Sequence, residues 1–375
     1  MKSIELFAGG GGLALATVES GFKHSFLVEW DKNSVATLKQ NSKVLSLENT
    51  ESLIFAGDIQ NVDFSEYEGK IDILSGGPPC QPFSIGGKAK AYDDKRDMFP
   101  QAARALFEIK PKAFIFENVR GLLRKNFSKY FNYIILQLTY PEISRKSEQN
   151  WQEHLSVLEQ YHTSGIYSEG LKYNIVFRLV NAADYGIPQK RERVFIVGFR
   201  NDIKGNWSFP ETTHSKEALD YAKYKTLEYW EKHSISPKIS NNYIPCLFFD
   251  DRKKPWLTVR DALSGLPDPE SNENKVPNHV FQSGAKIYAG HSGSSLDEPS
   301  KTIKAGSHGV PGGENMIVFD DGSVRYYTIR EAARIQTFPD NYIFPCSWTE
   351  SMRQIGNAVP VQLGKIVADS VARML

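Results

Sequence analysis

Short apolar runs alternate with stretches of helical length from the start of the chain to about Arg200. Each run has roughly the length of a strand and is bounded by polar residues or glycine, as expected for buried strands. Seven strands are predicted, at Ser3–Phe7, Ser25–Glu29, Ile54–Asp58, Ile71–Ser75, Ala113–Glu117, Asn174–Val180 and Val194–Phe199. The intervening stretches predict helices, among them Gly12–Ser20, Asn33–Gln40 and Pro100–Lys110. This alternation favours a doubly wound, mostly parallel α/β sheet.

The pattern changes after about Arg200. Tryptophan, proline and glycine become frequent, and the glycine-rich stretch Tyr288–Gly313 predicts irregular loops. We therefore expect one domain at residues 1–200 and a second, smaller domain at 201–345. Near the end of the chain, Ser351–Leu375 again has apolar residues at helical spacing and predicts a helix.

Charge is informative locally rather than globally, because the 375 residues carry a formal net charge of only +1. Met1–Gly77 contains 11 acidic and 6 basic residues, whereas Lys88–Lys129 contains 11 basic and 5 acidic ones. A basic balance of this kind suits a phosphate backbone.

Three cysteines, Cys80, Cys246 and Cys346, are far apart and form no Cys-x-x-Cys pair. This spacing argues against disulfides and against a zinc site. No apolar run approaches the roughly 18 residues of a membrane helix, and the start has no basic and apolar signal segment. We expect a cytoplasmic protein that uses no metal.

One cysteine lies in an unusual loop, Gly76–Ser84, directly after a predicted buried strand. Three prolines in this loop restrict the backbone around Cys80. A lone cysteine is more often a small buried hydrophobe than a reactive group. The proline-rich context and the position at a strand end, where open α/β sheets bind ligands, favour a nucleophile instead.

A glycine-rich loop, Phe7–Gly12, follows the first predicted strand and precedes the first helix. This arrangement is typical of a nucleotide-binding turn, although it does not distinguish NAD from S-adenosylmethionine. Glu29 ends the second strand, where a carboxylate accepts hydrogen bonds from ribose hydroxyls. The adjacent Trp30 either stacks on adenine or packs against the core.

Seven segments resemble, in order, the motifs of the cytosine-5 DNA methyltransferases. Gly76–Ser84 is similar to the nucleophile loop of that family. The other six are Ile4–Gly12, Val28–Asp31, Phe116–Val119, Gln189–Arg193, Arg330–Pro339 and Gln354–Pro360. Glu5 stands where the family usually has aspartate, and Val361 replaces a proline often found there. The resemblance covers nearly the whole chain and implies a Rossmann-like S-adenosylmethionine-dependent methyltransferase domain, which residues 346–375 rejoin, with a smaller irregular target-recognition domain.

The resemblance also implies roles for individual residues. The Cys80 thiolate would add to cytosine carbon 6, and Glu117 would meet the charge at nitrogen 3, helped by apolar neighbours that favour its protonated form. Arg191 and Arg193 would contact the base, its phosphate or the nucleophile loop. Residues implied to bind S-adenosylmethionine are Phe7, Gly9, Gly11, Gly12, Leu13, Glu29, Trp30, Asp58, Ile59, Pro79, Asn357 and Val359.

The implied substrate is double-stranded DNA with the target cytosine flipped out of the helix. Sequence choice would come from the second domain. Residues expected to contact DNA are Gln81, Ser84, Lys88, Thr302, Lys304 and His308. We expect a monomer that protects DNA in a restriction–modification system, with any cognate endonuclease acting separately. The alternative is an orphan enzyme of prophage type.

Three other functions are considered. A tRNA cytosine-5 methyltransferase uses the same motifs, but the long variable region from Asn201 to Tyr327 favours DNA. An inactive DNA-binding regulator need not retain Cys80, Glu117 and Arg191 together. A dinucleotide dehydrogenase would leave the Pro-Pro-Cys-Gln loop without a purpose.

Overall fold

A computed structural model describes residues 1–79, 97–164, 170–238, 250–288, 292–305 and 315–375. The chain divides into two compact units. Unit 1 contains Met1–Val180, Glu192–Phe209 and Gly364–Leu375, and unit 2 contains Asn181–Arg191 and Pro210–Leu363. Compared with the division expected from the sequence, residues 181–191 fall in unit 2 and residues 201–209 fall in unit 1. The return to unit 1 comes at Gly364 rather than at residue 346.

Strands within the described residues are β1 (Lys2–Leu6), β2 (Lys23–Glu29), β3 (Ile54–Ala56), β4 (Ile73–Gly76), β5 (Ala113–Val119), β6 (Tyr173–Asn181), β7 (Glu192–Arg200), β8 (His214–Ser215), β9 (Lys254–Pro255), β10 (Ser294–Ser295), β11 (Met316–Val318) and β12 (Val324–Tyr326). The helices there are α1 (Gly12–Glu19), α2 (Lys32–Gln40), α3 (Thr50–Leu53), α4 (Phe99–Ile109), α5 (Ser128–Thr139), α6 (Trp151–Ser164), α7 (Lys216–Tyr224), α8 (Glu228–Lys232), α9 (Val259–Leu263), α10 (Ile329–Ile335), α11 (Trp348–Asn357) and α12 (Val361–Ala372).

Unit 1 is built on a seven-stranded sheet, as far as the described residues show, in the order β3-β2-β1-β4-β5-β7-β6. The first five strands in this order pair in parallel, and β7 joins β5 in antiparallel orientation. All seven strands predicted from the apolar runs are present, so the predicted mostly parallel α/β fold is confirmed.

The central strands are apolar on both faces because helices cover both sides of such a sheet. Ile4 and Leu6 of β1, and Phe114 and Phe116 of β5, are completely buried. Since β1, β2, β4 and β5 run in the same direction, the loops that follow them leave the sheet at one edge, where ligands bind in this architecture.

Unit 2 contains shorter elements, in agreement with the change of composition after Arg200. Among its described residues are a three-stranded sheet, β10-β11-β12, and the two-stranded pair β8-β9. A small apolar cluster forms around Trp230 and Tyr229, which lie on α8.

The helical character expected for Ser351–Leu375 is confirmed, and the structure divides it between two helices, α11 and α12. Ala358 leaves the helical conformation and is extended. Pro360 follows; it lacks an amide hydrogen, which prevents a continuous helix through this point.

Candidate active site

The loop after β1 turns sharply before α1 begins. Phe7, Gly9 and Gly11 all have positive φ angles, of 55°, 54° and 83°. The Gly11 amide donates to the Ala8 carbonyl at 2.9 Å, which closes the turn. Two of the three positions are glycine, for which this conformation carries little strain. The turn therefore places main chain with little side-chain bulk at the carboxyl end of β1.

Glu29, the last residue of β2, fixes this loop. Its Oε2 accepts the Gly9 amide at 2.7 Å, and its Oε1 accepts the Asp31 amide at 2.8 Å. Burial raises the pKa of Glu29, and the hydrogen bonds from the Asp31 and Gly9 amides act in the opposite direction. A carboxylate has about four acceptor positions, so these two bonds and a further one from the Trp30 amide still leave room for another donor such as a ribose hydroxyl.

Next to Glu29, the Trp30 side chain is 76% exposed. Of the two sequence-based interpretations, core packing is therefore wrong for Trp30, because the indole is not buried. Asp58 lies after β3 and accepts the Gln60 amide at 2.9 Å, at the start of a short 3-10 turn. Ile59 is buried beneath it.

These groups fit the adenosyl part of S-adenosylmethionine. The exposed Trp30 ring offers a face for stacking, and the neighbouring Glu29 carboxylate can accept a further hydrogen bond. Both residues lie next to the glycine-rich loop that follows β1. Gly12 and Leu13 of the predicted set are buried in the first turn of α1.

The carboxyl end of β5 carries a buried ion pair. Arg193 Nε of β7 lies 2.7 Å from Glu117 Oε1, and the two side chains are 11% and 9% exposed. Burial lowers the pKa of Arg193, while the charge of Glu117 and its hydrogen bond raise it. Glu117 does not have only the apolar neighbours expected from the sequence, because the Arg193 guanidinium lies beside its carboxyl.

The chain that leads toward Cys80 passes beside this ion pair. Asn118 Nδ2 donates to the Pro78 carbonyl at 2.9 Å. A Cβ built on Gly77 would lie 3.5 Å from Glu117 Oε2, so the Gly77 backbone runs close to the carboxylate. Residue 80 itself is outside the described residues, as are the predicted DNA contacts Gln81, Ser84, Lys88 and His308.

Arg191, which was predicted to be catalytic, is completely buried in unit 2. Its guanidinium donates to the carbonyl oxygens of Ile303 at 3.1 Å, Gly356 at 2.7 Å and Ala358 at 2.9 Å. Arg191 and Arg193 are two residues apart, yet their guanidinium groups bond within different units. These partners favour a structural role for Arg191.

Two buried glutamines, which the sequence analysis did not single out, complete the cluster around Arg191. Gln189 Nε2 donates to Gln336 Oε1 at 3.1 Å, and Gln189 Oε1 accepts the Ile303 amide at 3.1 Å. Gln336 Nε2 donates to Ala358 O at 3.1 Å. Both glutamines lie in segments that resemble family motifs, and this position in the sequence could have identified them.

In the same cluster, the close approach of two backbone segments explains why residue 356 is glycine. A Cβ at Gly356 would lie 2.6 Å from the Ala305 amide nitrogen, a distance that a side chain cannot occupy. Asn357 is exposed and Val359 is buried within unit 2. Their predicted contact with the methyl donor remains a prediction.

Two of the predicted DNA contacts, Thr302 and Lys304, lie within the described residues. Thr302 Oγ1 donates to the Lys190 carbonyl at 2.7 Å, which anchors its side chain. The backbone of Lys304 is held at both polar atoms by the Asn315 amide, at 3.0 and 2.9 Å, while Lys304 itself is exposed.

Among the described residues, no group of three His, Cys, Asp or Glu side chains is placed to hold a metal ion. Over the same residues, no helix combines the length and apolar character that membrane crossing requires.

The sheet order and the loop at its edge define a Rossmann-like methyltransferase fold. In agreement, the structure of Schizosaccharomyces pombe Dnmt2 methyltransferase superposes with a TM-score of 0.58 at 16% identity, covering 100% of this chain and 98% of that one. The Entamoeba histolytica methyltransferase EhMeth gives a TM-score of 0.55 at 14% identity, covering 100% and 98%.

The sequence comparisons define the family. The model of the C-5 cytosine-specific DNA methylases matches residues 1–140 and 154–373. Type II methyltransferase M.PspPI of Psychrobacter sp. (strain TA137) is 32% identical over 377 residues, 99% of this chain and 79% of the relative. M.Eco47II of Escherichia coli is 32% identical over 379 residues, with the same coverage. The chain belongs to the C-5 cytosine-specific DNA methylase family.

The protein is therefore a DNA cytosine-5 methyltransferase, and its family implies the use of S-adenosylmethionine. DNA is its substrate.

Proposed function

We propose that this enzyme methylates a flipped-out cytosine by covalent catalysis, with Cys80 as the nucleophile. Carbon 5 of cytosine is too weakly nucleophilic to take a methyl group directly. When the Cys80 thiolate bonds to carbon 6, the electrons of the ring double bond become available at carbon 5. Once carbon 5 is methylated, loss of its proton and departure of the thiolate restore the double bond.

Glu117 serves nitrogen 3 of the same ring in this proposal. It supplies or shares a proton there as negative charge develops, and Arg193 holds its carboxyl in place. Arg191 acts indirectly, by fixing the segments that contain Ile303 and Gly356.

The observation that carries the proposal is the hydrogen bond from Asn118 to the Pro78 carbonyl. It ties the residues directly before Cys80 in the chain to the strand end that bears Glu117. The groups assigned to carbon 6 and nitrogen 3 are thus attached to neighbouring backbone.

S-adenosylmethionine supplies an electrophilic methyl group carried on a sulfonium. We propose that Glu29 holds its ribose, that Trp30 stacks on its adenine and that Asp58 and Ile59 meet the adenine edge. Further contacts are assigned to Phe7, Gly9, Gly11, Gly12, Leu13, Pro79, Asn357 and Val359.

DNA contacts are assigned to Gln81, Ser84, Lys88, Thr302, Lys304 and His308, and sequence choice to residues 201–345. Because the relatives M.PspPI and M.Eco47II are named type II methyltransferases, we propose that this enzyme protects cellular DNA in a restriction–modification system. It would act in the cytoplasm as a monomer, in association with the nucleoid when bound to DNA and separately from any cognate endonuclease.

The test uses duplex DNA with 5-fluorocytosine at the target, because fluorine at carbon 5 blocks the final proton loss. The wild-type enzyme should form an adduct that survives denaturation, and Cys80→Ser should form none. Cys346→Ser is the matched control, since Cys346 is a half-buried cysteine that the proposal does not use. An adduct that persists in Cys80→Ser and disappears in Cys346→Ser would contradict the assignment.

A further inference from the structure

The two ends of the segment that contains Cys80 are joined to each other. The Met98 amide donates to the Pro79 carbonyl at 3.1 Å. Pro79 directly precedes Cys80 in the chain, and Met98 follows residues 80–96 closely. Any group that fixes residues 97–98 therefore also constrains the position of Pro79, the residue directly before the nucleophile.

Asp97 is such a point of attachment. Its carboxylate accepts a hydrogen bond from the Tyr130 hydroxyl, and its Oδ1 also accepts the Phe99 amide at 3.2 Å. Phe99 is the first residue of α4, and Tyr130 lies in the first turn of α5. Asp97 thus links the end of the segment to two helices of the core.

Tyr130 is a rigid partner. It is only 3% exposed, and its ring packs edge-on against Trp151 with centroids 5.2 Å apart. The Tyr133 ring lies 5.6 Å away in the same cluster. A tyrosine buried in this way has little freedom, and its hydroxyl needs a partner. The aromatic cluster therefore fixes the direction from which Asp97 is held.

We propose that Tyr130 and Asp97 are positioning residues for the Cys80 nucleophile, a role that rests on the covalent mechanism proposed above. Attack on carbon 6 requires sulfur and carbon at close distance with the right approach angle, and small displacements slow such reactions strongly. The Tyr130–Asp97 bond limits displacement at one end of the segment, and the Asn118–Pro78 bond limits it at the other.

A purely structural role would make the Tyr130 hydroxyl equivalent to that of Tyr133. Tyr133 lies on the same helix in the same aromatic cluster, and its hydroxyl is bonded to the buried His154 at 2.9 Å. That bond holds α5 to α6, and the hydroxyl of Tyr133 is bonded to His154 rather than to Asp97, although the two side chains lie within electrostatic range of each other. Tyr133→Phe is therefore the matched control for Tyr130→Phe.

The experiment measures the single-turnover rate of adduct formation on the 5-fluorocytosine duplex, beside the affinity for S-adenosylmethionine and the urea midpoint. Tyr130→Phe should slow adduct formation by about tenfold, in the range of one hydrogen bond to a charged group. Its affinity for S-adenosylmethionine should not change. Tyr133→Phe should keep the wild-type rate of adduct formation, even if its urea midpoint falls as much as that of Tyr130→Phe.

A second pair of variants covers the case in which Tyr130→Phe folds poorly. Asp97→Asn keeps an acceptor oxygen for Tyr130 and Phe99 and should retain most of the rate, whereas Asp97→Ala should match Tyr130→Phe. Equal adduct rates for Tyr130→Phe and Tyr133→Phe, or for the two Asp97 variants, would overturn the positioning role alone. A wild-type enzyme that forms no adduct would overturn the proposed nucleophile and this inference with it.

Discussion

Arg193 and Glu117 form a diagonal pair across two antiparallel strands. Glu117 stands opposite Phe195 in the register of β5 and β7, and Arg193 stands opposite Val119. Residues offset by two positions lie on the same face of a sheet, within reach of long side chains. The guanidinium thereby meets the carboxylate at 2.7 Å at the strand ends where the ligand site is expected.

Breaking this pair from one side should be costly. Glu117→Gln or Arg193→Met alone leaves a buried charge without its partner, which typically costs about 3–5 kcal/mol. The double variant removes both charges, so it should lose less stability than the two single losses added together. The measurement is the free energy of unfolding in urea for all four proteins.

The exposed pair between Arg120 and Glu192 provides the control, since it involves the residue next to Arg193. Arg120→Met should change stability by less than about 1 kcal/mol because water screens exposed pairs. Equal losses in Arg120→Met and Arg193→Met would mean that burial does not strengthen the Glu117 pair.

Trp30→Ala should weaken S-adenosylmethionine binding without destabilising the fold. Stacking of a base on an aromatic side chain is worth about 1–3 kcal/mol, or roughly 5- to 150-fold in the dissociation constant. The side chain is 76% exposed, so its removal forms no cavity. Calorimetry with S-adenosylmethionine and a thermal melt without it check the two parts.

Glu29→Ala should behave differently from Trp30→Ala. It removes the acceptor for the Gly9 and Asp31 amides, so both the affinity for S-adenosylmethionine and the stability of the fold should fall. Asp58→Asn should keep the hydrogen bond from the Gln60 amide and should lower only the affinity for S-adenosylmethionine. Unchanged S-adenosylmethionine binding in all three variants would mean that the donor site lies elsewhere.

Stability should fall as the pH rises, in part through Glu5. Burial in the middle of β1 raises the pKa of Glu5 to about 8, partly offset by its hydrogen bond with Ser75. Between the ordinary glutamate value and pH 8 the folded state holds a proton that the unfolded state has released. Rising pH therefore favours unfolding across that interval.

Glu5→Gln removes this titration and keeps an acceptor for Ser75. Its urea midpoint should match the wild type near pH 5 and exceed it at pH 8 and above. The comparison with the wild type at each pH isolates Glu5 from other groups. A midpoint difference that is the same at pH 5 and pH 8 would show that Glu5 does not titrate as expected.

Lys304→Ala and Asn315→Ala should separate DNA reading from loop support. The Lys304 side chain is exposed, so its loss should leave stability unchanged and cost about 1–3 kcal/mol at one base pair if it reads a base edge. Asn315 is completely buried and bonds the Lys304 backbone, so its loss should lower the melting temperature. Methylation over a randomised duplex library, beside melts of both variants, measures the two effects. A relaxed site preference in a stable Asn315→Ala would reverse these roles.

The sequence determined the features that depend on neighbours along the chain. Apolar runs such as Ala113–Glu117 predicted the strands of the large sheet, because burial on both faces of its central strands requires continuous apolar residues. The edge strand β6 also has an apolar run, but most of its residues are exposed. The glycine loop after β1 and the carboxylate at the end of β2 could also be predicted, because each depends on residues that are adjacent in the sequence. Proline at residue 360 is also a local signal, for the break between α11 and α12, although the helical prediction for Ser351–Leu375 did not use it.

Tertiary structure decided which side chains meet. Gln189 and Gln336 are separated by 147 residues, and Arg191 reaches carbonyl groups on two distant segments. Spacing along the chain does not reveal such partners, because a hydrogen bond depends on where both groups come to lie. For the same reason the sequence indicated an apolar setting for Glu117, whereas the fold placed Arg193 beside it.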